Sequence, residues 1–247
     1  MVLGDQAAPV IRTRVRSFEL AGMPGCGKST LFRLVQSRAA AQSPPIAVLA
    51  TVPAMEALEY VEKNLPVLWR RSEAFVNAVG RRRSELGHGS IERMTRSTAE
   101  LWFGRVALVH QANRGKGASL LEEGTVHELW RLAYLLRGTP FERSVLQVLG
   151  PLLPRSSVVV HVVASAETRF RRMSTKRSLG PINRDLAAHG PESDVWREWG
   201  ATYDRLARQA GRWPRSRLVL RNDVDGAEEA IAETLVRTLQ GRQRRLD

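Results

Sequence analysis

A short apolar run, Phe18-Glu19-Leu20-Ala21, breaks into Gly22-Met23-Pro24-Gly25-Cys26-Gly27-Lys28-Ser29 and resumes as an apolar stripe at Leu31, Leu34 and Val35. The run reads as a buried strand and the stripe as one face of a helix. The segment between them satisfies G-x-x-x-x-G-K-[ST] in full. A strand that ends in such a loop and restarts as a helix belongs to a parallel sheet wrapped by helices. Glycines at 22, 25 and 27 let the backbone curl so that successive N–H groups face a phosphate chain, and the helix N-terminus adds partial positive charge there. Gly22, Gly25, Cys26, Gly27, Lys28, Ser29 and Thr30 are therefore expected to bind a nucleoside triphosphate. Lys28 reaches the β- and γ-phosphates, Ser29 supplies a hydroxyl to a magnesium ion, and Thr30 lies nearer the α-phosphate. The Cys26 side chain is read as a small group that fits the loop, with an oxidisable thiolate as the alternative.

Other apolar runs fit the same architecture. Val15–Ala21, Ile46–Ala50, Ala118–Leu121, Val158–Val163 and Leu218–Leu220 are candidate strands, separated by longer helix-like stretches. Nearly seventy residues between the second and third runs carry helical spacing, with Pro66 as an interruption. The 247 residues are read as one domain, with a core at 15–52 and 116–240, a helical insertion at 53–115 and a lid at about 168–195. Apolar residues make up 43%, enough for a sizeable core, and no run approaches the roughly 18 apolar residues of a membrane span. The first sixteen residues hold no apolar block and do not read as a secretory signal. A single cysteine suits a reducing compartment, and the expected location is the cytoplasm.

Charge is the strongest compositional signal. The formal net charge is +13, and only four of the 38 basic residues are lysine. Arginine forks grip phosphates at two points, which suits nucleotides or nucleic acid. Solvated helix faces would give the same composition.

Two further constellations bear on chemistry. Ala118-Ser119-Leu120-Leu121 runs into Glu122-Glu123-Gly124, and an acid at the carboxyl end of a buried strand faces the ligand crevice. There it can organise magnesium or take a proton from an attacking hydroxyl. Neighbouring strand residues point to opposite faces, so one glutamate does the main work. Glu122 is favoured as the first acid after the apolar run, with Glu123 behind it. His127, Trp130 and Tyr134 follow at helical spacing and read as a packed stripe. After the fourth strand come Arg169, Arg171, Arg172, Lys176, Arg177 and Arg184, with no acid between Glu167 and Asp185. Arginines that close over a transferring phosphoryl group stabilise its charge. Arg172 and Arg177 are the favoured pair.

The order of these motifs resembles the P-loop nucleoside and nucleotide kinases, most of all the thymidylate kinase branch. The likeness is specific mainly over Gly22–Thr30 and extends weakly over most of the chain. Leu121-Glu122-Glu123-Gly124 stands where thymidylate kinases carry Asp-Arg and deoxynucleoside kinases Glu-Arg. Leu101-Trp102-Phe103-Gly104-Arg105 is similar to the segment whose arginine contacts the acceptor, which implies that Arg105 binds acceptor. Ser165-Ala166-Glu167 through Arg177 resembles the fourth-strand exit and lid. Asn222 and Asp223 fall in the loop that lies near the adenine in that family. The resemblance implies a three-layer α/β sandwich with a five-stranded parallel sheet, ATP as donor, magnesium held by Ser29 and Glu122, and often a homodimer.

Three functions remain open at this level. The first is transfer of the γ-phosphoryl of ATP to a nucleoside, nucleotide or similar small metabolite, with Lys28, Glu122, Glu123, Arg172 and Arg177 as catalytic groups. The second directs the same chemistry to a polynucleotide hydroxyl, prompted by the net charge. The third is an ATPase switch with no acceptor; a guanine-reading N-K-x-D motif is absent from the sequence. Glu56, Trp69 and Arg70 join Arg105 as candidates for the acceptor pocket.

Overall fold

Strand alternation divides the interior into two cores. In strand β1, Ser17–Ala21, the side chains of Phe18 and Leu20 join one apolar cluster, whereas Ala21 joins another on the opposite face. Strand β4, Ser157–Val163, repeats the rule: Val158, Val160 and Val162 go with Phe18, and Val159 goes with Ala21. A strand buried on both faces reads as a continuous apolar run, which is why these segments stand out in the sequence.

The computed structural model describes residues 17–39, 47–49, 54–81, 89–114, 118–139, 142, 145–149, 157–176, 179–210 and 217–243. Arg177 lies outside the described residues, as do parts of the connections at 82–88 and 115–117. With β2 at Ala47–Leu49, β3 at Ser119–Leu121 and β5 at Arg217–Arg221, the sheet has the order β2-β3-β1-β4-β5. Every neighbouring pair is parallel. Chain direction across the sheet reverses at β1, which opens a crevice beyond the carboxyl ends of β1, β3 and β4.

Helix α1, Lys28–Ala39, begins inside the glycine loop and packs with the last helix against the face that carries Phe18 and Leu20. The helices before β3 are α2, Ala54–Asn64, α3, Pro66–Arg81, and α4, Gly89–Arg114. Pro66 opens α3 rather than breaking a helix, because proline's missing N–H costs nothing at a first helical position. Helix α5, Thr125–Leu135, follows β3 directly. Beyond β4 lie α6, Ala166–Ser174, α7, Pro181–Ala188, and α8, Asp194–Ala210; α9, Glu228–Gln243, ends the fold.

The second core, between the sheet and α4, α5 and α8, is rich in aromatics. Trp102, Trp130 and Tyr203 are fully buried. The indole N–H of Trp130 donates to the Trp199 carbonyl at 3.1 Å, and the Tyr134 hydroxyl donates to Asp185 at 2.6 Å. Trp130 and Tyr134 thus keep their polar atoms satisfied, whereas Trp102 Nε1 has no hydrogen-bond partner among the described residues. Trp130 and Tyr134 of the stripe are core, as their spacing suggests, and His127 is buried beside them. Among the described residues no helix is long and apolar enough to cross a membrane.

Candidate active site

Gly25, Gly27, Lys28, Ser29 and Thr30 line one cavity of about 360 Å³, together with Glu123, His127, Arg172, Lys176 and Asn183. Gly27 sits at φ +93°, in the left-handed region, and a Cβ there would collide with the Asn222 side chain. Only glycine meets both demands. Gly22 and Cys26 shape rather than line the cavity. Gly22 gives its N–H to the Tyr203 hydroxyl at 2.7 Å and accepts the Lys28 ammonium on its carbonyl at 2.6 Å. The Cys26 N–H is taken by the Met23 carbonyl, its thiol is buried in the first core, and its carbonyl accepts the Asn222 side-chain N–H at 2.9 Å.

The acid pair is split by strand parity. Leu120 belongs to the core beneath α1, whereas Leu121 packs on Leu108 and Val109 of α4. Carried past the end of β3, this alternation sends Glu123 toward α4 and α5. Glu123, and not Glu122, is the one that lines the cavity; Glu122 is half-buried beside it. Counting acids from the end of the run favours Glu122, whereas counting alternation from Leu121 selects Glu123.

Three permanent cations surround Glu123. Burial pushes its carboxyl up, but His127, Lys28, Arg131 and Arg105 outweigh this and hold its pKa below the ordinary value. His127 stands 3.3 Å from it through Nε2. Burial is the main cause of the His127 pKa falling to about 3, and Lys28, Arg131 and Arg105 push it the same way against Glu123. The imidazole is therefore neutral at pH 7 and serves Glu123 as an N–H donor. Glu128, the residue after His127, is 1% exposed and pairs with Arg131 at 3.2 Å. Its carboxyl is pushed up, by burial first and by Glu123 as well. Arg105 is buried on α4, and its Nε has no hydrogen-bond partner among the described residues.

Gly124 explains why no arginine follows this acid pair. A Cβ at Gly124 would run into the carboxylate of Glu19, which is wholly buried in β1. That carboxylate accepts the Thr125 backbone N–H at 2.6 Å and the Thr125 hydroxyl at 2.9 Å. It thereby caps the first turn of α5, satisfying an orphan helix N–H with a negative charge.

The arginine helix is fastened to the loop after β5. Ser165 caps α6 by accepting the Thr168 N–H at 3.2 Å, and its own N–H goes to Asp223 at 2.5 Å. Arg172 pairs with Asp225 at 3.1 Å and Glu228 at 3.0 Å, and donates to the Asn222 carbonyl at 3.0 Å. Arg171 pairs with Asp225 at 2.7 Å, and the Arg169 guanidinium lies 5.2 Å from the centre of the Trp196 ring. Asn222 and Asp223 are thus committed to tying elements together. Of the acceptor-side candidates, Trp69 packs against Phe103, while Glu56 and Arg70 are exposed. His127, Tyr203, Glu19 and Glu128 carry no motif; α5 packing on α8 and on the end of β1 brings them to the site.

Among the described residues no cluster of three or more His, Cys, Asp or Glu forms a metal site. The donor set instead suits an ion that arrives with a phosphate chain: the Ser29 hydroxyl is exposed on the cavity and carboxylates end the adjacent strand.

Fold and site define an α/β protein with a glycine-rich loop and a strand-end carboxylate on one cavity. No protein-family model and no curated protein matches the chain. Its fold is similar to that of deoxyadenosine kinase from M. mycoides with bound dATP, at 12% identity and a TM-score of 0.54, over 90% of this chain and 99% of that one. The same enzyme with products dCMP and a flexible dCDP bound aligns at 13% identity and a TM-score of 0.54, over 91% and 99%. Both structures are of a deoxyadenosine kinase, and what is shared at this distance is the fold.

Proposed function

We propose that this protein is an ATP-dependent phosphotransferase that moves the γ-phosphoryl group to a hydroxyl or phosphate of a nucleoside, a nucleotide or a similar small metabolite. The observation that carries the reading is the meeting of Lys28, Ser29 and Glu123 on one cavity. A phosphate chain held by the loop would present its terminal group to a carboxylate kept ionised by Lys28, Arg131 and Arg105. Glu123 takes the proton of an attacking hydroxyl, and Lys28 and Arg172 stabilise the charge spread over the transferred oxygens. Arg177 is proposed to act beside Arg172. Magnesium, held by Ser29 and one carboxylate of the Glu122–Glu123 pair, would neutralise the β- and γ-phosphates.

Arg105 is the proposed acceptor contact, because its buried Nε needs an acceptor atom that the described residues do not supply. The likeness to two deoxyadenosine kinase structures supports a nucleoside-like acceptor. The test is ADP release from ATP and magnesium with a panel of nucleosides, nucleoside monophosphates, other hydroxylated metabolites and 5′-hydroxyl oligonucleotides. Stimulation by one small acceptor, lost in Lys28→Ala, is the expected result. Stimulation by oligonucleotide alone, falling steeply with salt, would establish the polynucleotide reading instead. Hydrolysis indifferent to every acceptor would establish an ATPase.

A further inference from the structure

Tyr203 lies on α8, 181 positions from the glycine whose N–H it accepts and 76 from the histidine it touches. The polarity of these contacts is fixed by chemistry. A backbone N–H only donates, so the Tyr203 oxygen accepts from Gly22 at 2.7 Å. Its own proton is then free to point at His127 Nδ1, 3.4 Å away. In a neutral imidazole one nitrogen accepts and the other donates. With Nδ1 accepting, the proton sits on Nε2, the atom 3.3 Å from Glu123 Oε1.

We propose that Gly22, Tyr203, His127 and Glu123 form a one-directional hydrogen-bond chain from the phosphate-binding loop to the strand-end acid, and that His127 is a positioning residue that aims the Glu123 carboxylate at the acceptor. The inference rests on the phosphotransferase reading for its effect on rate, but not for its geometry. The two histidine links are longer than ordinary hydrogen bonds. Catalytic contacts are often this long before the reacting molecules bind. The surroundings leave the chain little freedom. His127 is 5% exposed and packs on Trp130, with ring centroids 5.9 Å apart. Tyr203 is wholly buried, with His161 stacked on its ring at 6.0 Å. Lys28, Arg105 and Arg131 face His127 from the loop, α4 and α5.

The experiment has one arm that needs no substrate. In the full-length protein labelled with 15N-histidine at pH 7, the His127 signals, assigned by their loss in His127→Gln, should report a neutral ring with its proton on Nε2. Tyr203→Phe, which removes the donor to Nδ1, should convert this single form into a mixture of tautomers. A charged ring, a proton on Nδ1, or a spectrum unaltered by Tyr203→Phe would overturn the chain. The second arm uses whichever acceptor stimulates ADP release. His127→Phe should lower kcat about tenfold or more, with both KM values within about threefold of wild type. His127→Gln, whose amide N–H can still reach Glu123, should recover most of that loss. Equal losses in the two variants, or a change confined to KM, would overturn the positioning role. Wild-type protein with no acceptor-dependent turnover would overturn the kinase reading, and the spectra would still decide the chain.

Discussion

Asn222, at the exit of β5, gives its side-chain N–H to the carbonyl of Cys26 in the glycine loop, 2.9 Å away and 196 positions earlier in sequence. It is wholly buried, and its Oδ1 has no partner among the described residues. Its backbone carbonyl holds Arg172. One residue thus links the loop, through its side chain, to the arginine helix, through its backbone.

Asn222→Ala should leave the Cys26 carbonyl without a donor in a buried setting. The expected loss is about 1–3 kcal/mol, the usual cost of an orphaned buried polar group. Urea unfolding gives the number. ATP affinity should weaken alongside, because Gly27 packs against the Asn222 amide. An unchanged unfolding midpoint and ATP affinity would show that the link carries nothing.

Gly124→Ala should destabilise the fold by about 1–3 kcal/mol, the range for overpacking a filled site. The cause is a collision with the Glu19 carboxylate, so the penalty should shrink when Glu19 is also shortened to Ala. A double-mutant cycle by thermal or urea unfolding measures the coupling. Additive effects would contradict the contact. Gly124→Arg, which installs the residue that deoxynucleoside kinases carry after their acid, should fold worse still.

Acid should weaken the fold through His127. Its pKa is about 3 in the folded protein, against 6.5 for a free imidazole. Between these values the unfolded chain binds a proton that the folded chain refuses, so stability is full above 6.5 and falls as the pH drops. The slope approaches about 1.4 kcal/mol per pH unit for one such group. Glu123, whose pKa is lowered, adds to the loss at the acid end, whereas Glu128, whose pKa is raised, opposes it. The comparison of wild type with His127→Gln from pH 7 to 5 isolates the histidine. Parallel curves would rule this contribution out.

In the proposed reaction Arg172 would loosen its pairs with Asp225 and Glu228 to close on a phosphate chain. Asp225→Asn should therefore lower the KM for ATP, by no more than about threefold because the pair is exposed and screened. The effect should fade at high salt. Arg172→Ala should instead lower kcat. The pair of opposite responses is the diagnostic; a matching fall in both variants would place Arg172 in a structural role alone.

Much of this molecule is legible in a linear reading, and the rest fails for a definable reason. The strand before Gly22, the glycine loop and the valine run of β4 announce themselves because strands buried on both faces are mostly apolar, with Ser17, Glu19 and His161 as buried exceptions. The loop residues Gly25, Gly27, Lys28, Ser29 and Thr30 line the cavity as their spacing implies. Gly22 and Cys26 do not, since their polar atoms are spent on Tyr203, Lys28, Met23 and Asn222. Glu123 was within reach of strand parity, had the count begun at Leu121 rather than at the first acid. His127 reads as packing because its partner Tyr203 is remote in sequence and neither residue sits in a motif. The missing arginine after the acid pair reads as a departure until Glu19 is seen occupying its space.

The alternation of β3 also acts as a phase. One residue added between Ser119 and Glu122 would swing Glu122 onto the cavity in place of Glu123. It would also push Glu123 to where Gly124 stands, against the Glu19 carboxylate. A shift that keeps a glutamate in the site therefore breaks the cap on α5. This short stretch should tolerate exchange of side chains far better than any change in length, even though its acids come in a pair that looks interchangeable.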